Sequence, residues 1–538
     1  MRDVILGRYS FLFYPPLIGI AFLVAAPGHS NAMVLTVAGL IALALFALAV
    51  HDYFQQQHSV LANYPVLARF RYFFEEIRPE LRQYFWESDD DELPYSRNQR
   101  AVVYQRAKGI MAVRPFGSTR DMYKNDHTWL NHSITPTHIE NDDFRFLVGE
   151  GPNAYQMSVL NISGTSFGAL SPPAIQSLNT GAKLGGFAHN TGEGGFSPYH
   201  SAGGGDTIWQ ISTGYFGCRT KDGRFDADVF AKTAAHPNIK MIEIKLSQGA
   251  KPGHGGMLLA PKVTPIIAQT RGVEAYQDCI SPSSHKEFST PVELLAFAQR
   301  LRELSGGKPV GIKLCVGHPW EFLSIAKAML ETGQRLDFVT VDGSEGGTGA
   351  ARVEFTDHLG TPLTDGLVFV DNVLRAAGLR ERVKVGASGK LLTAFDIARH
   401  CALGADWVNM ARPFMFTVGC IQARACSSGA CPTGVATMDP KRYRVIDINE
   451  KSKRVASFHS FTRNALKELL ESAGVQHPVE LTRRHVVRRM AANKIQFEED
   501  VYPQVQDGAL LRGDLTQDER IAQYWERASA HSFHLAQA

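Results

Sequence analysis

Apolar residues follow three rhythms along this chain, and each predicts a different kind of structure. The first is continuous. Residues 11–26 and 33–50 contain no charged side chain and are separated by the turn-like Pro27-Gly28-His29-Ser30-Asn31. The second stretch, MVLTVAGLIALALFALAV, has Thr36 as its only hydroxyl. As a helix rising about 1.5 Å per residue it spans about 27 Å, close to the hydrocarbon thickness of a bilayer. The first stretch is shorter and carries Pro15-Pro16, which either start a helix or belong to the apolar region of a cleaved signal. The expectation is a transmembrane helical hairpin over residues 1–52, with two buried helices of a soluble core as the alternative. Arg2, Arg8, Arg69 and Arg71 flank the hairpin, whereas its turn has no Lys or Arg. The positive-inside rule then puts the chain in the inner (plasma) membrane with its bulk facing the cytoplasm.

The second rhythm is helical. Residues 53–150 open on an amphipathic segment, ARFRYFFEEIRPELRQYF, followed by polar connections and an apparently hairpin-rich stretch. Residues 451–538 return to a charged helical texture (NALKELLESAG, RRHVVRRMAANK) and end in a polar tail. The third rhythm fills residues 151–450, where short apolar runs ending in glycine or polar clusters alternate with helical segments. Its predicted strands are MSVLNISG, GGFAHNTG, MIEIKLSQG, DCISPS, VGIKLCVG, FVTVDGSEGG, VKVGASG and WVNMARP. Helices such as PPAIQSLNTGAKL, PVELLAFAQRLREL, PWEFLSIAKAMLETG and TAFDIARHCALG fit between them. This alternation predicts an α/β fold, a (β/α)8 TIM barrel, with ligands at the strand C-terminal ends.

Composition narrows the function. The net charge is only +3, so no basic stripe points to nucleic acid. The 48 glycines exceed the usual ~7% and cluster in GEGG, AGGG, GHGG and GSEGGTG, where backbone can approach a ligand. Three of the seven cysteines lie in GCIQARACSSGACPTG, a poor pattern for extracellular disulfides. Cys218, Cys279, Cys315 and Cys401 stand singly and read as small core residues.

Candidate chemistry gathers at the strand ends. DGSEGGTGA after the sixth predicted strand and GASGK after the seventh are neighbouring glycine-rich turns, the place where barrels commonly hold phosphate. Strand alternation points Glu243, Lys245 and Ser247 to one face, and a lysine facing a barrel mouth calls for an anion. Lys245 and Lys313 are each placed to stabilise negative charge developing on a reduced flavin or a phosphate, with a strand-end lysine reaching solvent as the alternative. Cys420, Cys426 and Cys431, spaced C-x5-C-x4-C and followed by Pro432, suggest an iron–sulfur cluster. Three ligands favour [3Fe–4S]; zinc with a distant fourth ligand stays open.

These residues bring a resemblance into view. Over residues 163–476 the chain is similar to the FMN-binding synthase domain of the glutamate synthase large subunit. Six motifs occur in one order: SFGALS, GEGG, KLSQGAKPGHGG, ISPSSH, DGSEGGTGA and GCIQARACSSGACPTGVATMDP. The resemblance implies FMN between the strand ends, a [3Fe–4S] cluster on Cys420, Cys426 and Cys431, and 2-oxoglutarate over the flavin. It assigns Gly164, Thr165 and Ser166 to the flavin, Lys245 to its ring, and Gly346, Gly347, Thr348, Ser388 and Gly389 to ribityl and phosphate. It assigns Gln248, Lys251 and Arg271 to the oxoacid, where an arginine can clamp a carboxylate through two bonds. Glu193 is the group expected to bind or deprotonate ammonium. Lys245, Glu193 and Gln248 form the expected catalytic set. The chain departs from the family in three places: His254 where KPGEGG has glutamate, Tyr215 where arginine is common, and Arg2 after Met1 where a nucleophilic cysteine would open an amidotransferase domain. Glutamine hydrolysis by that route is therefore not expected.

The expected reaction is reductive amination. Ammonia from solution or a partner converts 2-oxoglutarate to 2-iminoglutarate, and hydride from reduced FMN gives glutamate. No G-x-G-x-x-G unit opens a βαβ pattern, so electrons are expected through the cluster from ferredoxin or a separate NADPH-oxidising subunit. Two other readings keep the sequence features: an FMN and iron–sulfur oxidoreductase acting on another amine, amino or imino acid, and a non-catalytic membrane redox scaffold.

Overall fold

The computed structural model describes residue 7, residues 9–90 and residues 94–536, and divides the chain into Met1–Asp91 and Glu92–Ala538. In the first unit, the two uncharged stretches form the helices Ser10–Ala25 and Ala32–Phe54. They meet at Gly19 and Gly39, where a Cβ on Gly39 would lie 2.9 Å from Leu23 Cγ and 3.0 Å from the Gly19 carbonyl oxygen. Small residues let the two backbones approach this closely. Apolar side chains face outward, with Leu17 67% and Met33 81% exposed. Ala32–Phe54 has 23 residues and a mean hydropathy of 2.7, long and apolar enough to cross a bilayer, whereas Ser10–Ala25 has 16 residues and is shorter than that. Arg2 and Arg8, on which the predicted orientation partly rests, lie outside the described residues. The amphipathic segment forms the helix Leu67–Leu81 and a following π-turn, Arg82–Trp86.

In Glu92–Ala538 eight parallel strands close into a barrel: β1 Leu160–Ile162, β2 His189–Asn190, β3 Thr207–Ile211, β4 Ile239–Lys245, β5 Val310–Leu314, β6 Phe338–Asp342, β7 Lys384–Ser388 and β8 Trp407–Met410. Each pairs with the next, and β8 pairs with β1. The predicted (β/α)8 architecture is present, with one strand misplaced. DCISPS is not a barrel strand: only Cys279–Ile280 is extended, pairing antiparallel with Met257–Leu258 in a small hairpin. The missing strand is TIWQI, buried at every residue, whose apolar run is broken by Gln210, the side chain that turns inward to donate to Glu243. Lys245 therefore ends the fourth strand rather than the third.

The barrel interior changes character along its axis. At the N-terminal end Met241, Ile208, Phe338 and Trp407 pack against Val148, Tyr155 and Met157 of the antiparallel hairpin Arg145–Val148 and Tyr155–Ser158, which plugs the barrel with an apolar cluster. One layer higher, buried Glu243 accepts hydrogen bonds from Asn190 Nδ2 (2.8 Å), Gln210 Nε2 (2.7 Å) and Thr340 Oγ1 (2.8 Å). Satisfied in this way, a carboxyl group is tolerated in a core. It forms a polar floor beneath the C-terminal mouth.

Segments outside the barrel brace it. The long helix Ile448–Ala473 packs on Pro172–Gly185 so closely that a Cβ on Gly181 would meet Val455 Cβ at 2.4 Å. Among the described residues before 140 there is no hairpin; the chain forms the helix Arg97–Ala107, capped by Ser96 and Gln99, and the short strand Thr128–Leu130. RRHVVRRMAANK is a second correction. It forms the strand Val486–Ala491, which pairs with both Thr128–Leu130 and Lys494–Phe497 rather than coiling into a helix. β-Branched Val486 and Val487 favour that state, and the partner strand lies too far along the chain to register locally. Buried Arg483 donates to Asp371 Oδ2 at 3.0 Å, joining this region to the helix Leu363–Ala376.

Candidate active site at the barrel mouth

The C-terminal ends of most of the strands lead into polar or glycine residues that gather at the mouth. β4 and β5 are in register at Lys245 and Lys313, so two ammonium groups enter the mouth side by side. Their repulsion is met by separate acids. Lys245 Nζ lies 2.8 Å from Glu193 Oε2 and 2.6 Å from Gln248 Oε1, and Lys313 Nζ lies 3.4 Å from Asp342 Oδ2. Lys313 is buried, not reaching solvent.

Glu193 stands in the short 3-10 turn Gly192–Gly194, brought in by β2. Burial would raise its carboxyl, but Lys245, Lys251 and Arg271 outweigh that and hold it at about 2. Lys251 is buried, donates to the Gly255 carbonyl at 3.3 Å, and has its own basicity lowered by burial. Arg271, also buried, donates Nη2 to the Phe167 carbonyl at 3.0 Å and lies 4.9 Å from the Phe216 ring centre, while its Nε has no partner among the described residues. Lys245, Gln248 and Lys251 of KLSQGAKPGHGG, Glu193 of GEGG and Arg271 at the end of the helix Pro265–Arg271 thus form one cluster with three cations around one carboxylate. A small cleft lined by Glu193, Lys245, Gln248, His254 and Gly256 opens beside it. His254 is exposed there, with Nδ1 2.9 Å from the Gly255 carbonyl and its ring edge-on to Phe355.

Lys245 is braced from behind by residues not predicted as site residues. His285 Nε2 lies 2.9 Å from the Lys245 carbonyl, which can only accept, so Nε2 carries the proton. Nδ1 then accepts from the Tyr215 hydroxyl at 3.1 Å, and that hydroxyl in turn accepts from the Lys286 and Glu287 N–H groups. Burial pushes the His285 imidazole down to about 4, keeping it neutral and this tautomer in place. Tyr215, noted in the sequence only as a departure, is the middle of this relay.

The predicted flavin and phosphate residues lie around the same mouth. Gly164 follows β1, where a Cβ would lie 3.2 Å from Gly192 Cα. Thr165 Oγ1 is 2.7 Å from His189 Nε2, and Ser166 lies in the same turn. Gly346, Gly347 and Thr348 follow β6, and Ser388 and Gly389 end β7; the two loops are joined by Gly343 N–H donating to the Ser388 carbonyl at 2.8 Å. Gly389 has φ +144 and a Cβ there would lie 3.2 Å from Gly343 N, so only glycine suits the turn. Arg412, absent from the expected set, stands against Gly347 and donates to the Glu345 carbonyl at 2.7 Å. Its sequence signal was the Arg-Pro pair opening a helix directly after β8.

Cys420, Cys426 and Cys431 occupy one loop after β8, and Gly349 of the β6 loop lies against Cys426. Among the described residues no three His, Cys, Asp or Glu side chains converge as ligands of a single ion. Burial raises the Cys420 thiol to about 12; at Cys431 the same effect is outweighed by hydrogen bonds from Thr433 and the backbone, which hold the thiol down. The single cysteines Cys218, Cys279, Cys315 and Cys401 are buried, as expected.

Comparison with known proteins agrees with this geometry. Residues 139–476 match the conserved region in glutamate synthase. The glutamate synthase large subunit-like protein YerD of Bacillus subtilis is 39% identical over 503 residues, covering 85% of this chain and 95% of that protein. The archaeal glutamate synthase (NADPH) of Methanocaldococcus jannaschii is 34% identical, over 60% of each chain. The glutamate synthase (NADPH) large chain of Azospirillum brasilense is 31% identical over 67% of this chain but only 22% of its own length. With the family region matched over most of its length, the chain belongs to the glutamate synthase family and is an oxidoreductase of the class acting on CH–NH2 donors.

Proposed function

We propose that the barrel mouth binds FMN and catalyses reductive amination of 2-oxoglutarate with ammonia to glutamate. The observation that carries this reading is the charge of the cluster: Lys245, Lys251 and Arg271 surround the single carboxylate of Glu193. A site with two positive charges in excess suits a dicarboxylate better than a monocarboxylate. A carboxyl held near 2 is a weak base, so Glu193 fits the task of holding an ammonium beside the oxoacid rather than taking its proton.

The residues present fit a flavin. Glycines at 164, 346, 347 and 389 open the backbone, Arg412 offers a cation beside the phosphate loops, and Asn409 Oδ1 and Ser212 Oγ are buried at the mouth without partners among the described residues. Once bound, FMN supplies hydride chemistry. Lys245, kept in place by His285 and Tyr215, provides positive charge at its ring, and Gln248 orients the Lys245 ammonium. Cys420, Cys426 and Cys431 fit a [3Fe–4S] cluster, whose thiolates bind separate irons and so need not converge on one point. Electrons would arrive from a ferredoxin or an NADPH-oxidising subunit. The outward apolar faces of Ser10–Ala25 and Ala32–Phe54 favour a membrane anchor over a buried helix pair.

Ligand binding to the oxidised protein tests the charge argument. 2-Oxoglutarate is expected to perturb the flavin absorption at least ~10-fold more tightly than pyruvate, the size of one lost ion pair in a partly buried site. Equal affinity for the two would remove the dicarboxylate assignment. His254 favours a second reading, in which the amine partner differs from ammonia: it places an exposed imidazole at the cleft in place of an anion.

A further inference from the structure

Inside Met1–Asp91, the helix Leu67–Leu81 has an apolar face that the described residues leave open. At about 100° per residue, Leu67, Phe70, Phe73, Phe74, Ile77 and Leu81 fall on one arc of about 120°, the width normally buried against a core. Here Phe70, Phe73 and Phe74 are 60%, 53% and 57% exposed. Arg71, Arg78 and Arg82 line one edge of the arc, with Glu75 paired to Arg71 at 2.9 Å, and Glu76 and Glu80 lie beyond the other edge. The helix therefore presents an aromatic strip with a basic border.

Its position is set at its start. Asp52, fully buried near the end of Ala32–Phe54, accepts from Arg69 Nε at 2.9 Å, Arg69 Nη2 at 2.6 Å and the Val66 N–H at 3.1 Å. Val66 has φ +64, a costly conformation for a β-branched residue, and it turns the chain sharply into the new helix. The Asp52–Arg69 pair thus ties the first turn of Leu67–Leu81 to the last turn of the one helix among the described residues that is long and apolar enough to cross a bilayer. A segment fixed at the exit of a spanning helix lies at headgroup level.

We infer that Leu67–Leu81 is an interfacial helix, lying along the membrane with its aromatic strip among the acyl chains and its arginine row on anionic phospholipid headgroups. The inference rests on the proposed membrane anchor and adds a lateral, charge-selective lipid contact to it. Anionic lipid is favoured because the polar border beside the strip is basic and because exposed Tyr84 and Trp86, just beyond the helix, are the types that settle at lipid–water boundaries.

The test uses the full chain in vesicles carrying brominated acyl chains, with phosphatidylcholine alone or mixed with phosphatidylglycerol. Tryptophan is introduced on the strip (Phe74→Trp) or on the polar side (Glu76→Trp), and quenching is read in excess of the parent chain. Severalfold stronger quenching for Phe74→Trp, greater with phosphatidylglycerol, is expected. Replacing Arg71, Arg78 and Arg82 together by glutamine should reduce the quenching in mixed vesicles to the phosphatidylcholine level. Equal quenching at both positions, or a Phe74→Trp signal shielded from bromine by protein or a second copy, would overturn the inference. Alkaline carbonate extraction separates the two failures. A chain that stays in the membrane without strip quenching loses only the interfacial helix; one that is released loses the anchor as well.

Discussion

Lys245 shows how one side chain is given its role by neighbours from distant parts of the chain. Its ammonium is held by Glu193 and Gln248 and its backbone by His285. Lys245→Met removes the largest of the charges holding the Glu193 carboxyl down, so that carboxyl should rise from about 2. The rate of reoxidation of the reduced protein by 2-oxoglutarate and ammonium should fall by ~10²–10³, as when one preorganised electrostatic group is lost. A change under threefold in a stopped-flow measurement would remove Lys245 from the chemistry. The sequence made Lys245 visible because a strand-end lysine among apolar residues needs an explanation. It did not reveal Asp342, Arg412 or the His285–Tyr215 relay, since each acquires meaning only through a contact made across the barrel.

At the scale of elements, the mouth is assembled by loops that meet backbone to backbone. Gly249 of the β4 loop donates to Asp342 Oδ2 at 2.8 Å, and a Cβ at Gly249 would fall 1.7 Å from the Gly343 carbonyl oxygen. Backbone cannot yield as a flexible side chain does. Gly249→Ala should therefore force the β4 and β6 loops apart, costing about 1–3 kcal/mol and releasing flavin from the purified protein. Unchanged thermal midpoint and flavin content would show that the loops are not held at this point. Seven of the eight barrel strands are legible as short apolar runs ending in the glycine or polar cluster of a loop. The eighth, Thr207–Ile211, was hidden because Gln210, turned inward onto Glu243, breaks its apolar run, and DCISPS took its place because its Ser-Pro-Ser ending resembles a barrel strand end but belongs to a hairpin in the β4 loop. The strand at Val486–Ala491 was hidden for a different reason: its arginines suit a helix as well as a sheet, and the pairing with Thr128–Leu130 is non-local.

Across the whole barrel-bearing unit, buried histidines give stability a defined pH dependence. Burial keeps His200 down to about 3, His285 and His400 to about 4, and His189 and His459 well below their ordinary value. Unfolded, each would bind a proton as pH falls through about 6.5. The unfolded state therefore holds more protons between about pH 6.5 and 4, so stability rises with pH across that window and is lost on acidification, by up to about 1.4 kcal/mol per pH unit for each histidine. Glu193 contributes in the same direction only at lower pH, because its pairing is lost as pH falls through about 2. Thermal midpoints measured from pH 7 to pH 5 should decline steadily, and a flat profile would contradict the neutral assignment of these imidazoles. The most direct test of the proposed function is a single turnover under anaerobic conditions, with protein reduced chemically and then mixed with 2-oxoglutarate and ¹⁵N-ammonium. ¹⁵N-glutamate is expected in amounts matching the reduced flavin, formed as the flavin reoxidises. Reoxidation without labelled glutamate, or only with a different amine or oxoacid, would contradict the proposed function.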